Sequence, residues 1–164
     1  MRAPAWNVTN APEKLERCDA ASYAAMRSYG HSKLCALLFA RALASRLAQL
    51  SAAQQQQMPS VVSAHPGATC TELNRHSWAL VVFNAFVGMR PADGALAQVR
   101  AAVDAAARPG DFFGPPHFGR LLGAPVLEQP DAAALDDAAA ERLWRRSEQL
   151  IGHTFALDID ESEL

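Results

Sequence analysis

The strongest constraint on the fold is a stretch of regularly spaced apolar residues between Tyr23 and Leu50. Leucine and phenylalanine recur at steps of three and four within alanine-rich sequence, at Leu34, Leu38, Phe39, Leu43, Leu47 and Leu50. Because an α-helix has about 3.6 residues per turn, this spacing places them on one broad face. The pattern predicts a long helix over residues 23–50 that buries this face against another element.

Shorter elements follow the helix. A polar, glutamine-rich linker over residues 51–57 leads to the β-branched run 60–64, which Pro66-Gly67 stops. This run predicts a short buried strand and a turn. A second helix should begin at Pro91, because proline suits a first helical position, and end before Pro109-Gly110.

The C-terminal third alternates turn signals with one further helix. Residues 112–116 read Phe-Phe-Gly-Pro-Pro, which we interpret as a turn-rich aromatic segment. The last helix should span about 136–150, with acidic residues at its start and arginines toward its end, as the helix dipole favours. Gly152 is the candidate C-cap. The chain therefore predicts an α/β fold in which helices dominate.

Composition excludes some function classes. The 164 residues fit one domain, and a net charge of −2 without a Lys/Arg run argues against nucleic-acid binding. Three cysteines, Cys18, Cys35 and Cys70, have no CxxC spacing or paired histidine, which indicates free thiols in a reducing compartment. The N-terminus has no apolar signal core, and the apolar stretch 77–89 is too short to cross a bilayer. We expect a cytoplasmic protein without a membrane span.

Tyr29 and Lys33 are the candidate catalytic residues. Side chains four apart on a helix share one face, where a lysine ammonium favours ionisation of a tyrosine hydroxyl. Such a hydroxyl can donate a proton to a carbonyl being reduced or accept one from an alcohol being oxidised. The pair alone is a weak signal, although the chain has only two tyrosines and two lysines. His31 lies between them on a different face, and we expect it to be exposed to solvent or substrate.

Several motifs occur in one order along the chain. They are Tyr29-x-x-x-Lys33 with its continuation to Phe39, His65-Pro66-Gly67-Ala68-Thr69-Cys70-Thr71-Glu72-Leu73, Gly94-Ala95, Gly110-Asp111-Phe112-Phe113-Gly114-Pro115, and Trp144-x-x-Ser147-x-x-Leu150-x-Gly152. Together they resemble the short-chain dehydrogenase/reductase family, and most closely its retinol-dehydrogenase-like branch. The similarity extends from about Ala21 to Phe155.

This resemblance implies a Rossmann-like doubly wound parallel sheet and hydride transfer between NAD or NADP and a carbonyl/alcohol substrate. Tyr29 would be the catalytic acid/base, and Lys33 would assist it and hydrogen-bond the nicotinamide ribose. Pro66 and Gly67 would shape the turn along the nicotinamide, and Thr71 would bind its carboxamide or a nearby phosphate. The apolar residues 78–83 and 86–87 could belong to the core. By resemblance they also fall where the family places a segment over the substrate, which would suit a lipophilic substrate. No metal ligands are expected, since His65 has no partner at ligand spacing.

The sequence also departs from the family pattern. The residues before Tyr29 contain no Gly-rich dinucleotide-binding turn, and Glu16 stands where spacing would place the catalytic serine. The chain therefore resembles only the C-terminal half of such an enzyme. Its organisation would be an arm over residues 1–22, the half-domain over 23–155 and a tail over 156–164. Without earlier strands, the strand near Val61 would lack its parallel neighbours.

Two function classes remain open at this point. The first is an NAD(P)-dependent oxidoreductase that is complete only with further sequence. The second is a catalytically inactive fragment that acts, if at all, by helix-mediated protein association. The apolar face of the predicted helix 23–50 is the candidate surface for that association or for homo-oligomerisation.

Overall fold

The structure, a computed structural model, describes residues 24–50, 54, 58–70 and 88–155. These residues form an α/β arrangement of three α-helices and a three-stranded mixed sheet. The chain divides into two compact units, one comprising residues 1–60 and 130–164 and the other residues 61–129. The predicted arm over residues 1–22 and tail over 156–164 lie outside the described residues. None of the described helices is long and apolar enough to cross a membrane.

The first unit is built on two packed helices, α1 (Ala25–Leu47) and α3 (Asp137–Ile151), with a short 3₁₀ helix (Ala132–Leu135) before α3. Their buried contact comprises Leu38, Ala42, Ala139, Ala140 and Trp144, with Leu34, Leu43 and Leu143 packed around it. Alanines at this contact let the two helix backbones approach closely. The predicted apolar face of α1 is therefore confirmed, and part of it is buried against α3.

Trp144 is the largest side chain in this contact, and several other side chains surround its ring. Phe39 stacks on it with ring centroids 5.3 Å apart, and the Arg46 guanidinium lies 4.1 Å from its ring centroid. Its indole Nε1 donates to Glu148 Oε1 at 2.9 Å, so the polar atom of the ring is satisfied. Arg46 also pairs with Glu141 at 2.8 Å, which links α1 to α3 a second time.

Both ends of α3 carry capping residues. Asp136 caps its start, because the side-chain Oδ1 accepts from the Ala139 amide at 2.9 Å. Gly152 ends it in the left-handed conformation at φ 67°, where glycine is preferred. These residues confirm the predicted helix and its C-cap.

The second unit holds the sheet and α2 (Pro91–Val103). Its strands are β1 (Ser63–Ala64), β2 (Phe112–Gly114) and β3 (Val126–Glu128), in the order β1-β2-β3. β2 pairs parallel to β1 and antiparallel to β3. α2 confirms the predicted start at Pro91 and ends at Val103, four residues earlier than expected. The strand predicted over residues 60–64 exists but is only two residues long.

The interpretation of residues 112–116 as a turn-rich segment is wrong for residues 112–114. Phe112–Gly114 is the central strand of the sheet, and both phenylalanines are buried. Successive strand residues point to opposite faces, so this strand is apolar on both. Phe113 meets Arg100 of α2 on one face, whereas Phe112 stacks on His65 on the other. The expectation that the strand near Val61 would lack parallel neighbours is also wrong in part, since β1 pairs with β2.

Leu38→Ala should destabilise the first unit. Leu38 has no exposed surface, and truncating such a leucine leaves a cavity that costs about 2–5 kcal/mol. Leu150→Ala is the matched control, because Leu150 is 63% exposed on α3 and its loss should cost no more than about 0.5 kcal/mol. Urea unfolding of both variants measures the difference, and equal losses would contradict the packing described for α1 and α3.

Gly94→Ala should destabilise the second unit, the reverse of the usual effect. In a helix interior this change normally stabilises by about 0.5–1 kcal/mol. Here the added methyl group would overlap Thr69 Oγ1 and lie 2.9 Å from its Cγ2, so we expect a loss of about 1–3 kcal/mol. Urea unfolding measures it. In a Thr69→Ala background, Gly94→Ala should cost less free energy of unfolding, because the Thr69 side chain is truncated. If Gly94→Ala stabilises the otherwise wild-type protein, the close contact between Gly94 and Thr69 is contradicted.

Candidate functional site

The candidate residues occur in both compact units, and each set has its own surroundings. Tyr29 and Lys33 lie in the first three turns of α1. Lys33 Nζ is 5.3 Å from the centroid of the Tyr29 ring, which confirms that the two side chains share one helix face. Tyr29 is 48% exposed and Lys33 is also exposed, so both can reach a ligand in solvent. An ammonium over an aromatic ring at an exposed site contributes about 0.5–1 kcal/mol.

The residues between them differ from expectation in one respect. Ser32 is exposed, and its Oγ donates to the Tyr29 carbonyl oxygen at 2.7 Å, which ties it to the helix backbone. His31 is buried, so the expectation of an exposed histidine is wrong. It lies on the side of α1 opposite the solvent, because a two-residue step on a helix turns by about 200°. His31 is therefore part of the packing of α1.

The surroundings of Cys35 disfavour a nucleophilic role. Neither Cys35 nor Cys70 is in a disulfide, and both are partly buried. Burial raises the pKa of the Cys35 thiol, which disfavours the reactive thiolate. Cys18 lies outside the described residues. Nor does any group of three or more His, Cys, Asp or Glu side chains within the described ranges form a metal site.

Pro66 and Gly67 form a turn directly after β1 in the second unit. The Ala68 amide donates to the Leu121 carbonyl at 2.8 Å, and the Met89 amide donates to the Ala68 carbonyl at 2.7 Å. Thr69 Oγ1 donates to the Pro66 carbonyl at 3.1 Å. Segments on both sides thus fix the turn, which is a rigid backbone feature at the carboxyl end of a parallel strand.

The glycine at position 67 is required by the chain itself. Its φ of 68° is in the left-handed region, and an added methyl group would overlap the Leu121 carbonyl and the Pro115 ring. The turn therefore needs glycine whether or not a ligand binds beside it. Thr71, the fourth predicted cofactor-binding residue, lies outside the described residues.

His65 lies between the sheet and this turn. Its ring stacks on Phe112 at 5.2 Å between centroids, and its Nδ1 accepts from the Gly67 amide at 3.3 Å. Its Nε2 lies 3.9 Å from Glu128 Oε2. Arg120 Nε is 3.0 Å from the same oxygen, and the Glu128 side chain is 9% exposed. Burial lowers the pKa of His65, and the Glu128 carboxylate acts in the opposite direction.

Sequence reasoning did not identify Glu128 and Arg120 as neighbours of His65. Pairing of β2 with β3 brings Glu128 opposite Phe112, sixteen residues away in the chain. The sequence contains no local signal for such a contact, because β3 is three residues long and flanked by Pro125 and Pro130. The sequence motif also gives Thr69 no role of its own, yet its contacts with Pro66 and Gly94 hold the turn against α2.

No protein-family model and no curated protein matches the sequence. Among solved structures, the chain is similar to the crystal structure of an uncharacterised protein from Mycobacterium paratuberculosis. The two share 28% sequence identity with a TM-score of 0.57, over 87% of this chain and 46% of that chain. The chain thus spans less than half the length of the protein it resembles.

Proposed function

We propose that the chain is the C-terminal half of a short-chain dehydrogenase/reductase with a Rossmann-like sheet. It would act on a carbonyl/alcohol substrate with NAD or NADP. The observation that carries this proposal is the Tyr29–Lys33 pair, exposed on one face of a long helix with the ammonium beside the phenol ring. No other described tyrosine offers a hydroxyl for this chemistry, since Tyr23 lies outside the described residues.

The placement of the Pro66–Gly67 turn also supports the proposal. In open α/β sheets, ligands bind outside the carboxyl ends of parallel strands. The turn follows the carboxyl end of β1, which is paired in parallel to β2, and its backbone is fixed by hydrogen bonds on both sides. A rigid turn at this edge is suited to holding a planar ring such as nicotinamide.

The alignment with the similar solved structure covers 46% of that protein. The residues before Tyr29 contain no glycine, so they hold no Gly-rich turn for a pyrophosphate. The residues proposed for the site would therefore serve the nicotinamide and ribose end of the cofactor.

The chemistry of the chain's own residues is proton transfer and orientation. In carbonyl reduction, the Tyr29 hydroxyl would give its proton to the substrate oxygen as that oxygen gains negative charge. Lys33 would stabilise the resulting phenolate and hydrogen-bond the ribose hydroxyls, while Pro66, Gly67 and Thr71 would orient the ring. A bound nicotinamide cofactor supplies or accepts the hydride. Alcohol oxidation follows the same path in reverse.

Association through helix 23–50 has less support as a separate function. The centre of its apolar face, at Leu38 and Ala42, is buried against α3 within the first unit. Exposed apolar surface on this helix is limited to side chains at its edges, such as Met26 and Phe39. A homo-oligomer through α1 would use that remaining surface.

Tyr29→Phe should abolish turnover while leaving cofactor binding nearly intact. The change removes one oxygen and should lower the rate by about 10²- to 10⁴-fold, the usual contribution of a general acid. Binding is measured by the fluorescence of NADH and NADPH, titrated up to about 1 mM, the upper end of ordinary Michaelis constants. Turnover is measured as consumption of the reduced cofactor with a panel of lipophilic aldehydes.

Tyr23→Phe is the matched control, because it removes the same atom from the other tyrosine of the chain. It should leave both binding and turnover unchanged. Equal loss of binding and turnover in Tyr29→Phe would make Tyr29 a structural residue. Unchanged fluorescence of both cofactors with the wild-type chain would contradict the oxidoreductase proposal for this chain.

A further inference from the structure

The His65 ring lies over β2 at the one strand position that has no side chain. A methyl group at Gly114 would overlap His65 Nε2 and lie 3.0 Å from its Cε1. The ring is also stacked on Phe112, two residues earlier on the same face of β2. Glycine at position 114 thus creates the space in which the imidazole reaches across β2 toward Glu128 of β3.

The hydrogen bonds of the ring define its protonation state. Because Nδ1 accepts from the Gly67 amide, it carries no proton, and the single proton of the neutral ring is on Nε2. Nε2 faces Glu128 Oε2 at 3.9 Å, which is too long for a direct hydrogen bond. Among the described residues, Nε2 has no hydrogen-bond partner, whereas Glu128 Oε2 forms an ion pair with Arg120 Nε at 3.0 Å.

We propose that His65 is a titratable latch on the Pro66–Gly67 turn. Neutral His65 holds the turn through the bond from the Gly67 amide to Nδ1. Protonation places a second donor at Nδ1, opposite the Gly67 N–H, so this bond breaks. The imidazolium is at the same time attracted to the Glu128 carboxylate. The ring therefore has two arrangements, one that holds the Gly67 amide and one that releases it.

Burial of the His65 ring favours its neutral, latched state. The groups that face the ring are Glu128 on β3 and Arg120 in the β2–β3 connection, whereas β2 presents only the Phe112 ring and Gly114. Burial is the largest influence and lowers the pKa of His65 below its ordinary value of about 6.5. Glu128 opposes this effect, and the Arg120 guanidinium reinforces it.

The sign of the pH dependence follows from this lowered pKa. The unfolded chain binds a proton to His65 more readily than the folded chain does. The stabilising contribution of neutral His65 is therefore present above the unfolded pKa of about 6.5. It is lost as the pH falls below that value and through the folded pKa. Mild acid should loosen the turn before it affects residues remote from His65.

Release of the turn matters for catalysis only through the proposed function. If Pro66 and Gly67 line the nicotinamide, then protonation of His65 weakens cofactor binding. His65 would then be a positioning residue, because it acts on the ligand through the turn. The latch itself is a property of the turn and stands apart from any ligand.

NMR titration of the ¹⁵N-labelled chain tests the latch directly. The Gly67 amide resonance should shift with the same midpoint as the His65 imidazole, below about pH 6.5. In His65→Asn the asparagine Oδ1 can accept from the amide two residues on, as in an Asx turn. The turn should then remain ordered, with a Gly67 resonance that no longer titrates. Glu128→Gln should lower the His65 midpoint further, because the carboxylate no longer stabilises the imidazolium.

His117→Asn is the matched control, since it removes another histidine of the same unit and should leave the Gly67 titration unchanged. A Gly67 resonance that stays constant while His65 titrates would overturn the latch. A Gly67 resonance that still shifts with the wild-type midpoint in His65→Asn would overturn it as well. The wild-type titration decides this even if a variant fails to fold. If Gly67 titrates but NADH and NADPH fluorescence shows no binding at any pH, the latch stands and the proposed function fails.

Discussion

The close approach of the His65 ring to the Gly114 backbone is the contact on which the geometry of the second unit depends. It needs a residue without a side chain in the centre of the sheet, and it places a titratable ring between β1, β2 and β3. The same ring accepts a hydrogen bond from the Gly67 amide, so it links the sheet to the turn after β1. Thr69 completes this arrangement from the other side by filling the space beside Gly94 of α2.

The first unit is organised on different principles. Its two helices approach through alanines, and Trp144 fills the remaining volume with Phe39 and Arg46 on its faces. This packing buries the centre of the α1 face and leaves Tyr29 and Lys33 exposed in its first three turns. One face of the helix is therefore structural, and the proposed catalytic pair lies on a different face.

The elements that the sequence predicted well are those with local signals. Pro91, Asp136 and Gly152 mark helix ends by their own backbone preferences, and the leucine spacing of α1 reflects the helical period. β2 and β3 were missed because three-residue strands are formed by pairing with distant segments. The shared face of Tyr29 and Lys33 was predictable from their spacing, whereas the burial of His31 and the His65–Glu128–Arg120 cluster depend on tertiary contacts that no local pattern encodes.

The central claim is that this chain carries the nicotinamide end of a cofactor site. Reduced nicotinamide mononucleotide is the sharpest probe, because it has the nicotinamide, ribose and one phosphate but no pyrophosphate. Its addition to the ¹⁵N-labelled chain should shift the resonances of Lys33 and Gly67 while leaving those near Gly152 unchanged. Adenosine monophosphate should shift neither Lys33 nor Gly67. An unchanged spectrum at Lys33 and Gly67 with the reduced mononucleotide, or equal shifts with both compounds, would contradict the claim.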